Sequence, residues 1–102
     1  MSITTYRQGD ILFKLVGKLP ENVKRKNDNI VAEGEVTGHK HAVIGGNLLE
    51  GAAGMFVDAP IGMYTDIIHD EHAVIHLPPG IYQVIRQREE SGPALPPKFV
   101  RD

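Results

Sequence analysis

The segment IVAEGEVTGHKHAVIGGNLLEGAAGMFV, residues 30–57, is a series of short apolar runs cut by glycines. Ile30 to Val36 reads as a strand with Gly34 as a bulge, and Thr37-Gly38 punctuates it. His39 to Ile44 reads as the next strand. Gly45-Gly46-Asn47 then turns the chain into Leu48-Leu49-Glu50, and Gly51-Ala52-Ala53-Gly54 turns it again into Met55-Phe56-Val57. Each run is too short for a helix and is bounded by residues that favour turns. The segment therefore decides for β structure.

The flanking sequence agrees. In Tyr6 to Val16, a Gly9-Asp10 turn or bulge precedes an alternating run in which Ile11, Phe13 and Leu15 share one face. Gly17 to Asn29 is polar, holds Lys24-Arg25-Lys26, and reads as a surface loop. Gly62 to His69 and Ala73 to Leu77 read as strands, with at most one helical turn at Asp70-Glu71-His72 between them. Pro78-Pro79-Gly80 is a turn, since proline fixes φ and glycine accepts a positive one. Ile81 to Arg88 is a strand rich in β-branched and aromatic residues. Glu89 to Asp102 is polar and Pro-rich, hence extended, with Phe99 and Val100 placed to dock on the body or on a neighbouring subunit. The expectation is an all-β small barrel or sandwich of about seven or eight short antiparallel strands. Residues 1–88 form one domain and residues 89–102 a tail.

Composition narrows the function classes. The chain has 102 residues, 41% hydrophobic, with 11 Gly and 7 Pro. That suffices for one domain with a small core. The formal charge of -2 gives no basic surface for a nucleic-acid polymer and no sign of membrane attachment. The absence of cysteine excludes disulfides, thiolate ligands and thiol chemistry. No apolar run reaches the roughly 18–20 residues of a membrane span. Met1 to Thr5 lacks a signal-peptide layout, so a cytoplasmic protein is expected. With only Ser2 and Ser91, and no Gly-x-Ser-x-Gly, serine nucleophile chemistry is disfavoured.

Four of the five histidines lie in two places, His39-Lys40-His41 and His69-Asp70-Glu71-His72. On a strand, residues two apart face the same way, so His39 and His41 share a face with Val43 while Lys40 takes the other. Two imidazoles on one face can converge on a divalent ion such as zinc, nickel or manganese, which needs a third ligand and an open position. His72 is the leading third ligand, and His69, Glu71 and Glu35 are alternatives. A metal-free reading is also available. Two imidazoles and a carboxylate (His39, His41, His72 and Glu71) can act as general acid and base, with Lys40, Arg86 or Arg88 steadying an anionic ligand. The plain alternative is that these histidines brace loops and the basic residues are solvated. Arg86 and Arg88 read as pointing outward, and His76 as surface.

Several strings together resemble a small uncharacterised family found in bacterial and phage genomes. They are Arg7-Gln8-Gly9-Asp10-Ile11-Leu12, GEVTGHKH at 34–41, Glu71-His72, LPPGIYQV at 77–84 and Arg86-Gln87-Arg88-Glu89. The resemblance implies importance for Gly38, His39, His41, Glu71, His72, Tyr82, Gln87, Arg88 and Glu89, with His69 also fitting. His76 falls at a variable position. Glu90 departs from the pattern, which often has Tyr after QRE. The family brings no established activity. The His-x-His and LPPG-x-Y strings are also superficially similar to cupin signatures. Glu50 is too far from His41 for the cupin glutamate, and no histidine follows His76, so a full cupin is not expected.

The expected function is a β-domain whose histidine-lined pocket holds a divalent metal or a small anionic ligand such as a nucleotide, with hydrolysis as a possible outcome. The alternatives are a phage-type binder or nuclease of nucleotide second messengers, and a non-enzymatic protein-interaction module. Exposed sheet edges in so small a domain favour a homo-oligomer.

Overall fold

A computed structural model describes residues 4–33 and 38–87. The readings made for Gly34 to Val36, for Arg88 and for the tail from Glu89 to Asp102 lie outside the described residues. Among the described residues there are ten strands and no helix. They are β1 (Thr5–Gln8), β2 (Ile11–Val16), β3 (Lys24–Arg25), β4 (Ile30–Glu33), β5 (Lys40–Ile44), β6 (Asn47–Gly51), β7 (Gly54–Ala59), β8 (Thr65–Ile68), β9 (Ile75–Leu77) and β10 (Gly80–Arg86). None of the described structure is a helix long and apolar enough to cross a membrane.

The strands form two antiparallel sheets. One has the order β1-β2-β10-β7-β6-β3, the other β4-β5-β8-β9. The sheets do not close on each other, so the architecture is a sandwich rather than a barrel. Ile11, Phe13, Leu48, Val57, Ala59 and Tyr82 from the first sheet meet Val31, Val43, Ile67 and Leu77 from the second in a single core. Strand alternation explains the sorting: in β5, His41 and Val43 are buried while Lys40 and Ile44 are exposed. Burying each large apolar side chain contributes about 1.5–3 kcal/mol. Tyr82 is the largest such group. Its ring meets Tyr6 edge-on at 6.0 Å, and its hydroxyl donates to the Pro78 carbonyl at 2.7 Å. Burial, together with Tyr6, raises its pKa above the ordinary tyrosine value.

The strand count exceeds the seven or eight expected from sequence. The run from Tyr6 to Val16 is a hairpin of two strands, because Gly9 at φ 62° lets the chain reverse between Gln8 and Ile11. A glycine with positive φ at the first central residue of a two-residue hairpin is what a type II′ turn needs. The polar segment read as loop contributes β3, a two-residue edge strand on β6. The strand expected to begin at Gly62 begins only at Thr65. Ile61, Met63 and Tyr64 lie exposed in the preceding turn. That turn presses on the β5–β6 connection so closely that a Cβ on Gly45 would stand 1.9 Å from the Tyr64 carbonyl oxygen, which only glycine permits. Asp70 to His72 is a bend, not a helical turn.

Candidate functional site

Two features of the fold bring the histidines together. β5 pairs antiparallel with β8, with Ala42 opposite Ile68. The start of β5, with His39 just before it, therefore lies beside the chain leaving β8, which carries His69 and His72. The four rings form one cluster. Centroids are 4.3 Å apart for His41 and His69, 4.4 Å for His69 and His72, 5.6 Å for His39 and His69, and 6.0 Å for His41 and His72. Gly38, at φ 74°, turns the chain into this site.

The β1–β2 hairpin supplies the floor. Gln8 follows Tyr6 by two, so both face the core, and the tight turn leaves Asp10 facing inward as well. Gln8 is 3% exposed, Asp10 6% and His41 3%. The Gln8 amide nitrogen donates to the carbonyls of Ile67 and Ala73, both at 2.9 Å. Its oxygen lies 2.9 Å from His41 Nδ1. On the other side of the ring, Asp10 Oδ1 lies 3.9 Å from His41 Nε2. A buried carboxylate needs a charged partner, and Arg86 provides it, with Nε 3.3 Å from Asp10 Oδ2. Arg86 Nη2 also reaches the Glu33 carbonyl at 3.4 Å, joining the two sheets.

The outer rim is acidic. Glu71 Oε1 lies 3.3 Å from His39 Nδ1, and Asp70 Oδ2 lies 4.0 Å from His39 Nε2. The Glu71 backbone N–H donates to His69 Nδ1 at 3.0 Å. In a neutral His69 ring the proton therefore sits on Nε2. Burial, and then the neighbouring charges of His72 and His39, lower the His69 pKa below its ordinary value, while Asp70 and Glu71 oppose the shift. His72 Nε2 is shielded from solvent and has no hydrogen-bond partner among the described residues. In these positions the rings pack against one another. Among the described residues, no three imidazole or carboxylate groups already aim at a single metal position.

The structure thus joins His39, His41, His72 and Glu71, and adds His69 at their centre. The proposed anion-binding residues are placed differently. Lys40 is exposed on the far face of β5, near enough to Asp28 to help Lys26 lower that carboxylate's pKa. Arg86 does not point outward. It has the parity of Tyr82 and Val84, and its guanidinium is engaged by Asp10. Arg88 is outside the described residues. His76, read as surface, is exposed and paired with Asp66. Sequence reasoning took Gln8 and Asp10 for a simple turn and so missed them as site residues. The available signal was parity, since Gln8 falls on the face of Tyr6.

Residues 7–87 match the family described as a domain of unknown function, DUF8820, and the chain belongs to that family. No curated protein and no solved structure matches the chain.

Proposed function

We propose that this member of the family is a metal-binding β-domain in which His39, His41 and His72 ligate one divalent first-row cation, with zinc, nickel and manganese as candidates. The observation that carries the reading is the gathering of four imidazoles from two distant segments, one of them fully buried and held by a dedicated amide. Neutral imidazole is a favoured ligand for such ions, and three protein nitrogens leave a position for water or substrate. The carboxylate of Glu71 beside His39 Nδ1 is the kind of outer partner that orients a ligating ring. His69, whose Nδ1 is taken by the Glu71 N–H, serves as the packing ring between the ligands. Binding requires His39 and His72 to turn their nitrogens inward. His72 sits in an irregular segment between β8 and β9.

The metal reading is preferred to a bare anion site because Arg86 is already neutralised by Asp10 and Lys40 lies on the opposite face. A bound cation would itself attract an anionic ligand, and a water on it would supply a nucleophile near neutral pH. Hydrolysis of a phosphoester is therefore the activity to assay once a metal is found. Self-association belongs to the same proposal, and native mass spectrometry reads metal content and oligomeric state together.

The test is titration of metal-free protein with zinc, nickel and manganese by calorimetry, with elemental analysis of the product. One ion per chain is expected, and none in His41→Ala. Failure of all three ions to bind the wild-type protein at micromolar concentration would overturn the proposal.

A further inference from the structure

We infer that Gln8 is the positioning residue of the cluster: it fixes His41 as the Nδ1–H tautomer, so that Nε2 is the nitrogen presented to a cation. Backbone carbonyls only accept hydrogen bonds. The two carbonyls at 2.9 Å, from Ile67 and Ala73, therefore require the NH₂ end of the Gln8 amide to face them. The amide oxygen is then the end that meets His41 Nδ1, and an oxygen can only accept, so Nδ1 carries the proton. In the neutral ring, Nε2 is left as a lone pair.

That lone pair lies 3.9 Å from a buried carboxylate oxygen of Asp10. The same amide does a second job. Ala73 follows His72 directly, so gripping the Ala73 carbonyl holds the segment with His69 and His72 against the ring that Gln8 orients. One side chain thus sets both the tautomer of the buried ligand and the placement of the loop that brings the others.

The affinity part of this inference rests on the metal reading, whereas the tautomer part does not. The experiment has corresponding arms. Long-range ¹H–¹⁵N NMR on metal-free wild-type protein should show His41 as a single Nδ1–H tautomer. Zinc calorimetry on Gln8→Met should show affinity reduced about 10–100-fold, the usual cost of losing an outer partner. Gln8→Glu keeps an acceptor for Nδ1–H but cannot donate to the two carbonyls. It should retain the tautomer and lose less zinc affinity than Gln8→Met. If Gln8 merely braces the loop, Gln8→Glu should fall as far as Gln8→Met. A metal-free His41 protonated only on Nε2, or unchanged zinc affinity in Gln8→Met, overturns the inference while leaving the metal reading intact. Absence of zinc binding in the wild type overturns the metal reading, and the tautomer measurement still decides the role of Gln8.

Discussion

Among the described residues, two histidine–carboxylate contacts stand in contrast, and the closer one is the less interesting. His76 Nδ1 lies 2.7 Å from Asp66 Oδ1, against 3.3 Å for Glu71 at His39 and 3.9 Å for Asp10 at His41. Yet the His76 side chain is 78% exposed, and this is a cross-strand pair between β8 and β9. Such a pair is screened by water and contributes about 0–1 kcal/mol. At His41, the carboxylate is 3.9 Å away, but the ring is buried, its other nitrogen is held, and the carboxylate has its own cation. Burial and a chain of supporting hydrogen bonds therefore distinguish the candidate site, and proximity alone does not.

The sharpest way to break this contrast is His41→Ala. It removes a buried ring and leaves the Gln8 oxygen without its donor. It should cost about 2–4 kcal/mol in urea denaturation and reduce zinc affinity more than 100-fold. Next comes Arg86→Met, which strands Asp10 as a buried charge. A loss of about 1–3 kcal/mol is expected, partly restored by adding Asp10→Asn. If Arg86→Met unfolds at the wild-type urea concentration, the Asp10–Arg86 contact is ornamental.

A smaller effect comes from acid. The His69 pKa is lowered in the folded protein, mainly by burial, so between its ordinary value of 6.5 and its folded value the unfolded chain binds more protons. Stability of the metal-free protein should thus decline as pH falls below about 6.5 and be flat on this account above it. His69→Asn should flatten that part of the melting-temperature profile. A wild-type profile that instead rises on acidification would contradict the assignment. Smallest of all is His76→Ala, expected to change stability by no more than about 0.5 kcal/mol and to leave zinc binding untouched. Equal effects at His76 and His41 would erase the distinction between the two environments.

Much of this was readable from residue order. The glycine-cut runs from Ile30 to Val57 announced β structure, and period-two alternation placed His41 and Val43 inward with Lys40 outward. What alternation could not supply was the partner of each inward residue. Gln8 meets Ala73 across 65 positions and His41 across 33, and no local pattern records such pairings. Arg86 was misread for a related reason. A terminal arginine on a strand is usually solvated, and here the buried Asp10 and the Glu33 carbonyl draw the guanidinium inward. Which of His69 and His72 would serve as ligand was also undecidable from spacing. The structure brings both rings to His41, His69 at 4.3 Å and His72 at 6.0 Å, and sets the Glu71 N–H on His69 Nδ1.

The pairing of β2 with β10, Ile11 opposite Arg86 and Val16 opposite Ile81, also has a consequence for time. The hairpin that carries Gln8 and Asp10 is sealed by the last described strand. Closing so long a stretch of chain is slow, and folding dominated by such non-local pairs takes milliseconds to seconds. The expectation is that the cluster is completed late in folding, once the two sheets have met. Zinc present from the start of refolding should leave the folding rate nearly unchanged and act by slowing unfolding. The ion would then be a lock closed on a finished fold, not a seed for it.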